Sequence, residues 1–162
     1  MSAPYTEAWL AGPRKTSFYT RTYLPRSVPL RAAIVFVHGL GEHIGRYGHF
    51  HPRLAENGIA VFAYDQRGFG RTAQDDGHKS NGSSIGKTSW SNQMDDISWA
   101  LHHVTSQYDS VPLFLMGHSM VSVTTRMLHL SDKYREVVRL WDLLPSPATV
   151  ELILPSFHGP KE

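Results

Sequence analysis

The segment Phe114-Leu115-Met116-Gly117-His118-Ser119-Met120 decides which fold this sequence predicts. Its apolar residues predict a buried strand, and the Gly-x-Ser at its end predicts a sharp turn that presents one hydroxyl group. In the complete pattern, Gly-x-Ser-x-Gly, the serine is conformationally strained and the two glycines leave room around it. Gly117 is the first glycine, but Val121 occupies the position of the second. We therefore expect such a turn at Ser119 and a departure from the pattern after Met120.

Two earlier apolar runs predict further buried strands. Ala32–Val37 and Ile59–Tyr64 are apolar throughout, which is typical of strands in a parallel sheet that helices cover on both faces. The polar loop His38-Gly39-Leu40-Gly41-Glu42-His43 follows the first run, and Asp65-Gln66-Arg67-Gly68-Phe69-Gly70 follows the second. Because the carboxyl ends of parallel strands lie at one edge of a sheet, we expect both loops to lie beside Ser119.

A hairpin and a short helix are predicted around these strands. Runs rich in β-forming residues at 7–10 and 17–23 flank a Gly-Pro turn and predict an antiparallel N-terminal hairpin. One helix is predicted over 46–57, where Pro52 must start or kink it and Gly58 closes it.

A second helix has the most regular pattern in the sequence, with Asp95 and Asp96 placed near its N-terminal end, where the helix dipole favours negative charge. Its apolar stripe consists of Met94, Ile97, Leu101, Val104 and Tyr108. The predicted order is therefore hairpin, strand, helix, strand, helix, strand. Right-handed crossovers wind such a series into a mostly parallel sheet of about five or six strands with helices on both faces, so the predicted fold class is α/β.

Composition and length are those of one globular domain. The chain has 162 residues, of which 41% are hydrophobic and 19% charged, values typical of a folded domain with a sizeable core. The net charge is only +2 and the basic residues are scattered, so we expect no nucleic-acid partner. The absence of cysteine excludes disulfides, thiolate metal sites and a cysteine nucleophile. The start shows no secretory signal, and no apolar run is long enough for a transmembrane segment.

The ten histidines raise the question of a metal site. His43, His49 and His51 are close in sequence, but they form no His-Glu-x-x-His pattern and no carboxylate pair accompanies them. The segment 82–88 resembles a phosphate-binding loop, but it is one residue too short between its glycines and no strand precedes it. We therefore predict neither a metal site nor a cofactor.

The loops around Ser119 suit acyl-transfer chemistry. A hydroxyl at the end of a strand can attack an acyl carbonyl, and backbone amides can stabilise the oxyanion that develops. We expect these donors to be the amides of Leu40 and Met120, one from each loop. The loop 65–70 is predicted to shape this site rather than to take part in the chemistry, because its glycines permit positive φ and Asp65 can bond nearby backbone.

Together, the three motifs resemble the monoacylglycerol lipase family. The resemblance rests on 38–43 with Arg46-Tyr47, on 65–70, and on Gly117-His118-Ser119-Met120, which occur in the family's order and spacing. That family belongs to the α/β-hydrolases and shares its domain with serine aminopeptidase-like and lysophospholipase-like hydrolases. The resemblance implies that residues 5–120 form the N-terminal part of an α/β-hydrolase domain. It implies a nucleophile at Ser119, an oxyanion hole at Leu40 and Met120, and supporting motif residues at His38, Gly39, Gly41 and Gly117.

After Met120 the sequence departs from the family pattern. The family continues into a glycine pair, a lipid-binding cap and only then the catalytic Asp and His, in the chain order serine, acid, histidine. The later candidates, Asp132, Asp142, His129 and His158, lie outside the family's motif context. We therefore identify no triad acid or base and expect a truncated hydrolase with negligible activity, since a serine hydroxyl without a base is a poor nucleophile.

Residues 121–162 are predicted to form a divergent tail. Their spacing predicts a helix over 124–144 and a strand over 150–154. One hypothesis for the change is a retained intron or a misplaced exon boundary, because Met120-Val121-Ser122 can be encoded by codons that contain a splice-donor sequence. If the tail leaves the strand that ends at Ser119 uncovered, the exposed sheet edge favours self-association.

Three functions stay open. The first, favoured by the resemblance, is a serine hydrolase of carboxylic esters that acts on a small lipid ester, a monoacylglycerol. The second is a non-catalytic product, either a truncated or mis-spliced chain or a pseudoenzyme. The third is another α/β-hydrolase, such as a lysophospholipase or a serine aminopeptidase, since the cap that selects the substrate is missing from the pattern. The resemblance also implies a cytoplasmic location with peripheral association with membranes or lipid droplets.

Overall fold

In the computed structural model, which describes residues 4–119 and the backbone of 150–153, six strands form one mixed sheet. They are β1 (Thr6–Ala11), β2 (Ser17–Tyr23), β3 (Ala32–Val37), β4 (Ile59–Tyr64), β5 (Leu113–His118) and β6 (Val150–Ile153). Their order across the sheet is β1-β2-β4-β3-β5-β6. The central strands β4, β3 and β5 are parallel, whereas the β1–β2, β2–β4 and β5–β6 pairs are antiparallel. The predicted α/β fold with an antiparallel N-terminal hairpin is confirmed.

Short helices connect these strands. The helical elements of the described residues are α1 (His51–Glu56), α2 (Gly70–Gln74), α3 (Trp90–Thr105) and two 3₁₀ turns at Pro13–Lys15 and Ile44–Tyr47. The single helix predicted over 46–57 is therefore split into a 3₁₀ turn and α1. Pro52 has no amide hydrogen and occupies the first turn of α1 instead of the interior of a longer helix. Gly58 follows α1 at a φ of 83°, as predicted for the end of a helix.

Helices cover both faces of the sheet. α3 packs against the face formed on β3 by Ala33, Val35 and Val37. Ile34 and Phe36 lie on the opposite face and pack against residues of α1 and of the turn before it. This alternation follows from the two-residue period of a strand. Because both faces of β3 are buried, every residue of that strand is apolar.

The strand β6 pairs with β5 on the side away from β3. The antiparallel register runs from Leu115 opposite Ile153 to His118 opposite Val150. β6 lies inside the range 150–154 for which the sequence predicts a strand, whereas the helix predicted over 124–144 lies outside the described residues. Self-association is predicted only if the edge of β5 is left uncovered. Over Leu115–His118 the edge is covered, because β6 pairs with it.

Candidate active site

The loops that follow β3, β4 and β5 begin at the same edge of the sheet. Val37 is in register with Tyr64 on one side and with Gly117 on the other. The first two loops are also joined by side chains, since Nε2 of His38 accepts a hydrogen bond from the amide of Gln66 at 2.9 Å. The polar motifs predicted to meet at this edge therefore lie side by side.

Ser119 follows β5 directly and is exposed. Its φ is 60°, in the left-handed region that non-glycine residues rarely adopt. Such a conformation costs on the order of 1–3 kcal/mol and persists only where the surrounding structure enforces it. The strained serine turn expected from Gly-x-Ser is thus present, and its side chain is not buried in the core.

The loop after β3 lies partly at the surface. Leu40 is 57% exposed, and Gly41 has a φ of 74°. Within the described chain, the amide of Leu40 donates to no protein acceptor. A loop amide of this kind can serve as a donor to a ligand. Met120, the other residue predicted to supply an amide, lies outside the described residues.

His38 is fully buried and acts as a structural connector. Its Nδ1 lies 2.8 Å from the carbonyl oxygen of Gly39, to which it donates, because Nε2 already accepts from Gln66. Burial lowers the pKa of His38 below its usual value. The ring is therefore neutral, with both nitrogens engaged, and it holds the β3 loop against the β4 loop.

The carboxylate of Glu42 accepts several hydrogen bonds between the loop after β3 and strand β5. Oε2 of Glu42 accepts from the Gly39 amide at 3.0 Å, the Tyr47 hydroxyl at 2.5 Å and Nδ1 of His118 at 3.2 Å. Oε1 lies 3.4 Å from the Arg46 guanidinium. Burial on its own raises the pKa of Glu42, but the bonds from Tyr47 and Gly39 outweigh it, so the pKa is lower than usual. The carboxylate is therefore ionised at neutral pH.

The close fit around this carboxylate leaves little room for a side chain at residue 39. A Cβ atom on Gly39 would lie 3.0 Å from Oε2 of Glu42 and 3.0 Å from Nδ1 of His118. Sequence reasoning assigned Glu42 and His118 no role of their own. The spacing of Glu42 and Arg46 predicts an ion pair on a helical turn, but no local pattern links residue 42 to residue 118.

The loop after β4 has the structural role predicted for it. Oδ1 of Asp65 accepts from the amide of Ile44, and Oδ2 accepts from the amide of Arg71, both at 2.7 Å. Gly70 has a φ of 51°, and a Cβ atom there would overlap the Asp65 carboxylate. The expectation that Asp65 bonds nearby backbone is confirmed.

The expectation for Asp95 and Asp96 is wrong. α3 begins at Trp90 and has no acidic residue in its first turn, so neither carboxylate lies at the positive end of the helix dipole. Asp96 is buried and forms a two-point ion pair with Arg67, with N–O distances of 3.0 and 2.7 Å. Asp95 instead pairs with Arg14 of the β1–β2 turn at 2.6 Å. Both aspartates tie α3 to neighbouring loops.

The described residues do not contain every predicted site group. The later acid and histidine candidates, Asp132, Asp142, His129 and His158, lie outside them. Among residues 4–119, no three His, Asp or Glu side chains are close enough together to hold a metal ion. Every helix of the described chain is too short or too polar to cross a bilayer.

Parallel central strands, helices on both faces and a strained serine at the end of β5 define the class of the α/β-hydrolases. Residues 28–148 match the family described as "Serine aminopeptidase, S33" (Hydrolase_4), and the chain belongs to that family. The match runs past Met120, so it does not single out that residue as a boundary.

Several known proteins are similar to this chain. A putative monoglyceride lipase of Schizosaccharomyces pombe is 39% identical over 89 residues, which are 55% of this chain and 22% of that protein. The monoglyceride lipase of Rattus norvegicus is 33% identical over 103 residues, covering 63% of this chain and 31% of the rat protein. A carboxyl esterase of Bacillus coagulans superposes with a TM-score of 0.58 at 28% identity, covering 70% of this chain and 36% of the esterase. The chain thus spans about a third or less of the length of these relatives. The predicted resemblance to monoacylglycerol lipases is confirmed.

Proposed function

We propose that the protein is a serine hydrolase of carboxylic esters with Ser119 as its nucleophile and monoacylglycerols as its substrate class. The observation that carries this proposal is the left-handed conformation of Ser119 at the end of β5. The adjacent loop after β3 offers the backbone amide of Leu40. The similarity to monoglyceride lipases of other organisms supports the substrate class.

The proposed reaction is a two-step acyl transfer. The Ser119 hydroxyl oxygen attacks the acyl carbonyl carbon, and the amides of Leu40 and Met120 hold the resulting oxyanion. The bond to the glycerol oxygen then breaks, glycerol leaves with the proton taken from the serine, and water releases the fatty acid from the acyl-enzyme. Among the described histidines at this edge, His38 has both ring nitrogens bonded and His118 donates to Glu42. His38 therefore has no ring nitrogen left to act as the general base, and we assign that role to no described residue.

We expect the 162-residue chain by itself to be a slow hydrolase. No aspartate or histidine after Ser119 stands in the family's motif context. An α/β-hydrolase site without its base retains only the rate enhancement of oxyanion binding and substrate positioning, roughly 10³–10⁴-fold over water.

A fluorophosphonate probe tests both parts of this proposal, with Ser119→Ala as the matched control. We expect slow labelling of Ser119, located by mass spectrometry, and none in the variant. Labelling at the rate of a competent lipase would contradict the expectation of low activity. Equal labelling of the wild type and the variant would refute the assignment of the nucleophile.

A second candidate is release of an N-terminal residue from peptides, because the matching family is described as a serine aminopeptidase. Activated esters acylate either kind of serine site, so they do not separate the two. A 1-monoacylglycerol, a lysophospholipid and an aminoacyl p-nitroanilide compared at equal concentration do. Hydrolysis of the anilide in preference to the monoacylglycerol would favour the second candidate.

A further inference from the structure

We propose that Glu42 is a positioning residue whose carboxylate holds the loop after β3 in register with the nucleophile turn. The inference rests on the function proposed above. Its basis is that one oxygen, Oε2, receives donors from both sides of the site. Gly39 and Tyr47 belong to the segment after β3, and His118 belongs to β5.

Two of these three donors are next to the proposed reacting groups in the sequence. Gly39 immediately precedes Leu40, whose amide is the proposed oxyanion donor, and His118 immediately precedes Ser119. A shift of the carboxylate is therefore transmitted through one peptide unit to each reacting group. Misplacement of reacting groups by about 1 Å can cost on the order of 10²-fold in rate. By holding both Gly39 and His118, the carboxylate fixes the distance between the Leu40 amide and Ser119.

Glu42 is the acceptor in each of these hydrogen bonds, and its partners are the donors. An ionised carboxylate only accepts hydrogen bonds, so His118 must carry a proton on Nδ1. The Gly39 amide likewise donates to Glu42. The side chain of Glu42 is only 12% exposed, and Arg46 at 3.4 Å balances its charge. A carboxamide keeps one acceptor oxygen for the three donors but loses the negative charge, and its NH2 half would face the Arg46 guanidinium, which also only donates.

Two substitutions test the role of the carboxylate. Glu42→Gln keeps the size of the side chain and removes its charge, whereas Tyr47→Phe removes one donor and keeps the carboxylate. Glu56→Gln, at an exposed position on α1, is the matched control. The assay is acylation of Ser119 by p-nitrophenyl butyrate over a range of ester concentrations, followed by p-nitrophenol release and by the mass of the acylated peptide.

We expect Glu42→Gln to lower the acylation rate constant about tenfold, with little change in the ester concentration for half-maximal rate. Tyr47→Phe should lower it about threefold, since two of the three bonds to Oε2 remain, and Glu56→Gln should behave as wild type. A residue with a stability role alone would lower Tm but leave acylation unchanged well below the melting transition. Tm is therefore measured for each variant.

Nuclear magnetic resonance supplies a readout that does not depend on turnover. The wild type should show a hydrogen-bonded Nδ1–H on His118 and a protected Gly39 amide. In Glu42→Gln the exchange of both protons should accelerate, with chemical-shift changes confined to 38–47 and 117–119. Unchanged exchange of both protons would overturn the inference.

The outcomes separate the inference from the proposed function. Wild-type acylation no faster than that of Ser119→Ala would overturn the proposed function and, with it, the role of Glu42. Ser119-dependent acylation that both Glu42→Gln and Tyr47→Phe leave at the wild-type rate would overturn the positioning role alone. If Glu42→Gln does not fold, the Tyr47→Phe rate decides the question on the same criterion.

Discussion

The buried imidazole of His51 provides the most quantitative test of this structure. The ring is fully buried, and neither nitrogen has a hydrogen-bond partner among the described residues. Aromatic rings surround it: the centroid of Phe36 lies at 4.5 Å, that of Tyr23 at 5.0 Å and that of Tyr47 at 5.7 Å. Such a site holds a neutral ring and disfavours an imidazolium ion.

The direction of the pH effect follows from this environment. Burial first, and then the positive charges of Arg21 and His49, lower the pKa of His51 from 6.5 to about 3. Below its ordinary pKa the ring takes up a proton in the unfolded chain, whereas the folded ring stays neutral until about pH 3. Its stabilising effect is therefore complete above pH 6.5 and is lost progressively as the pH falls through this interval. For one such group the loss between pH 7 and pH 5 is about 2 kcal/mol.

His51→Leu removes this titration and keeps a side chain of similar volume. The loss of ring contacts and any misfit shift the stability of the variant by an amount that does not depend on pH. The quantity to measure is therefore the change with pH of the difference in unfolding free energy between variant and wild type. Urea unfolding at pH 7, 6 and 5 should show this difference moving in favour of the variant by about 2 kcal/mol.

His49→Gln is the matched control, because His49 is exposed and lies two residues away. We expect this control to lose stability with acid as the wild type does. Equal loss of stability between pH 7 and pH 5 in the wild type and His51→Leu would refute the reasoning. It would show that the ring is hydrated or partnered in solution, which contradicts its packing among the aromatic residues.

Three further predictions concern the loops that support the site. Arg67→Met leaves the buried carboxylate of Asp96 without its partner and should cost about 3–5 kcal/mol of unfolding free energy in urea. Gly70→Ala should destabilise the protein by more than about 2 kcal/mol, because positive φ and overlap with the Asp65 carboxylate act together. Gly41→Ala should cost only about 1 kcal/mol in the same assay, since φ is positive there but no atom lies within 4 Å of the added Cβ. A larger loss at position 41 than at position 70 would contradict the packing described for the β4 loop.

The sequence predicts the central strands with accurate bounds because both faces of those strands are buried. Ala32–Val37 and Ile59–Tyr64 are β3 and β4 residue for residue, since a strand buried on both faces is apolar throughout and the run ends where the strand ends. Helix boundaries are less accessible to pattern reasoning. The spacing over 46–57 is helical, but one missing amide hydrogen at Pro52 divides the segment. α2, with five residues, is too short to show a period.

Some features of the candidate site could be predicted from the sequence and others could not. The loop after β3 and the turn at Ser119 are recognisable because glycine is needed at fixed distances along the chain. The pairs Glu42–His118 and Arg67–Asp96 are not recognisable, because their members lie 76 and 29 residues apart. Such contacts depend on the crossover connections and strand order, and no local period reports them. The sequence thus predicts the groups proposed to react, and the structure adds the groups that hold them.

The strained turn at Ser119 is held by pairing on both sides of β5. On one side β3 pairs as far as Gly117, and on the other β6 pairs as far as His118. Each neighbour therefore fixes the backbone within two residues of Ser119, where the left-handed conformation costs on the order of 1–3 kcal/mol. The family match ends at residue 148, before β6 begins at Val150. The strand that pairs with the outer side of β5, up to the residue before Ser119, is thus formed by residues beyond the family match.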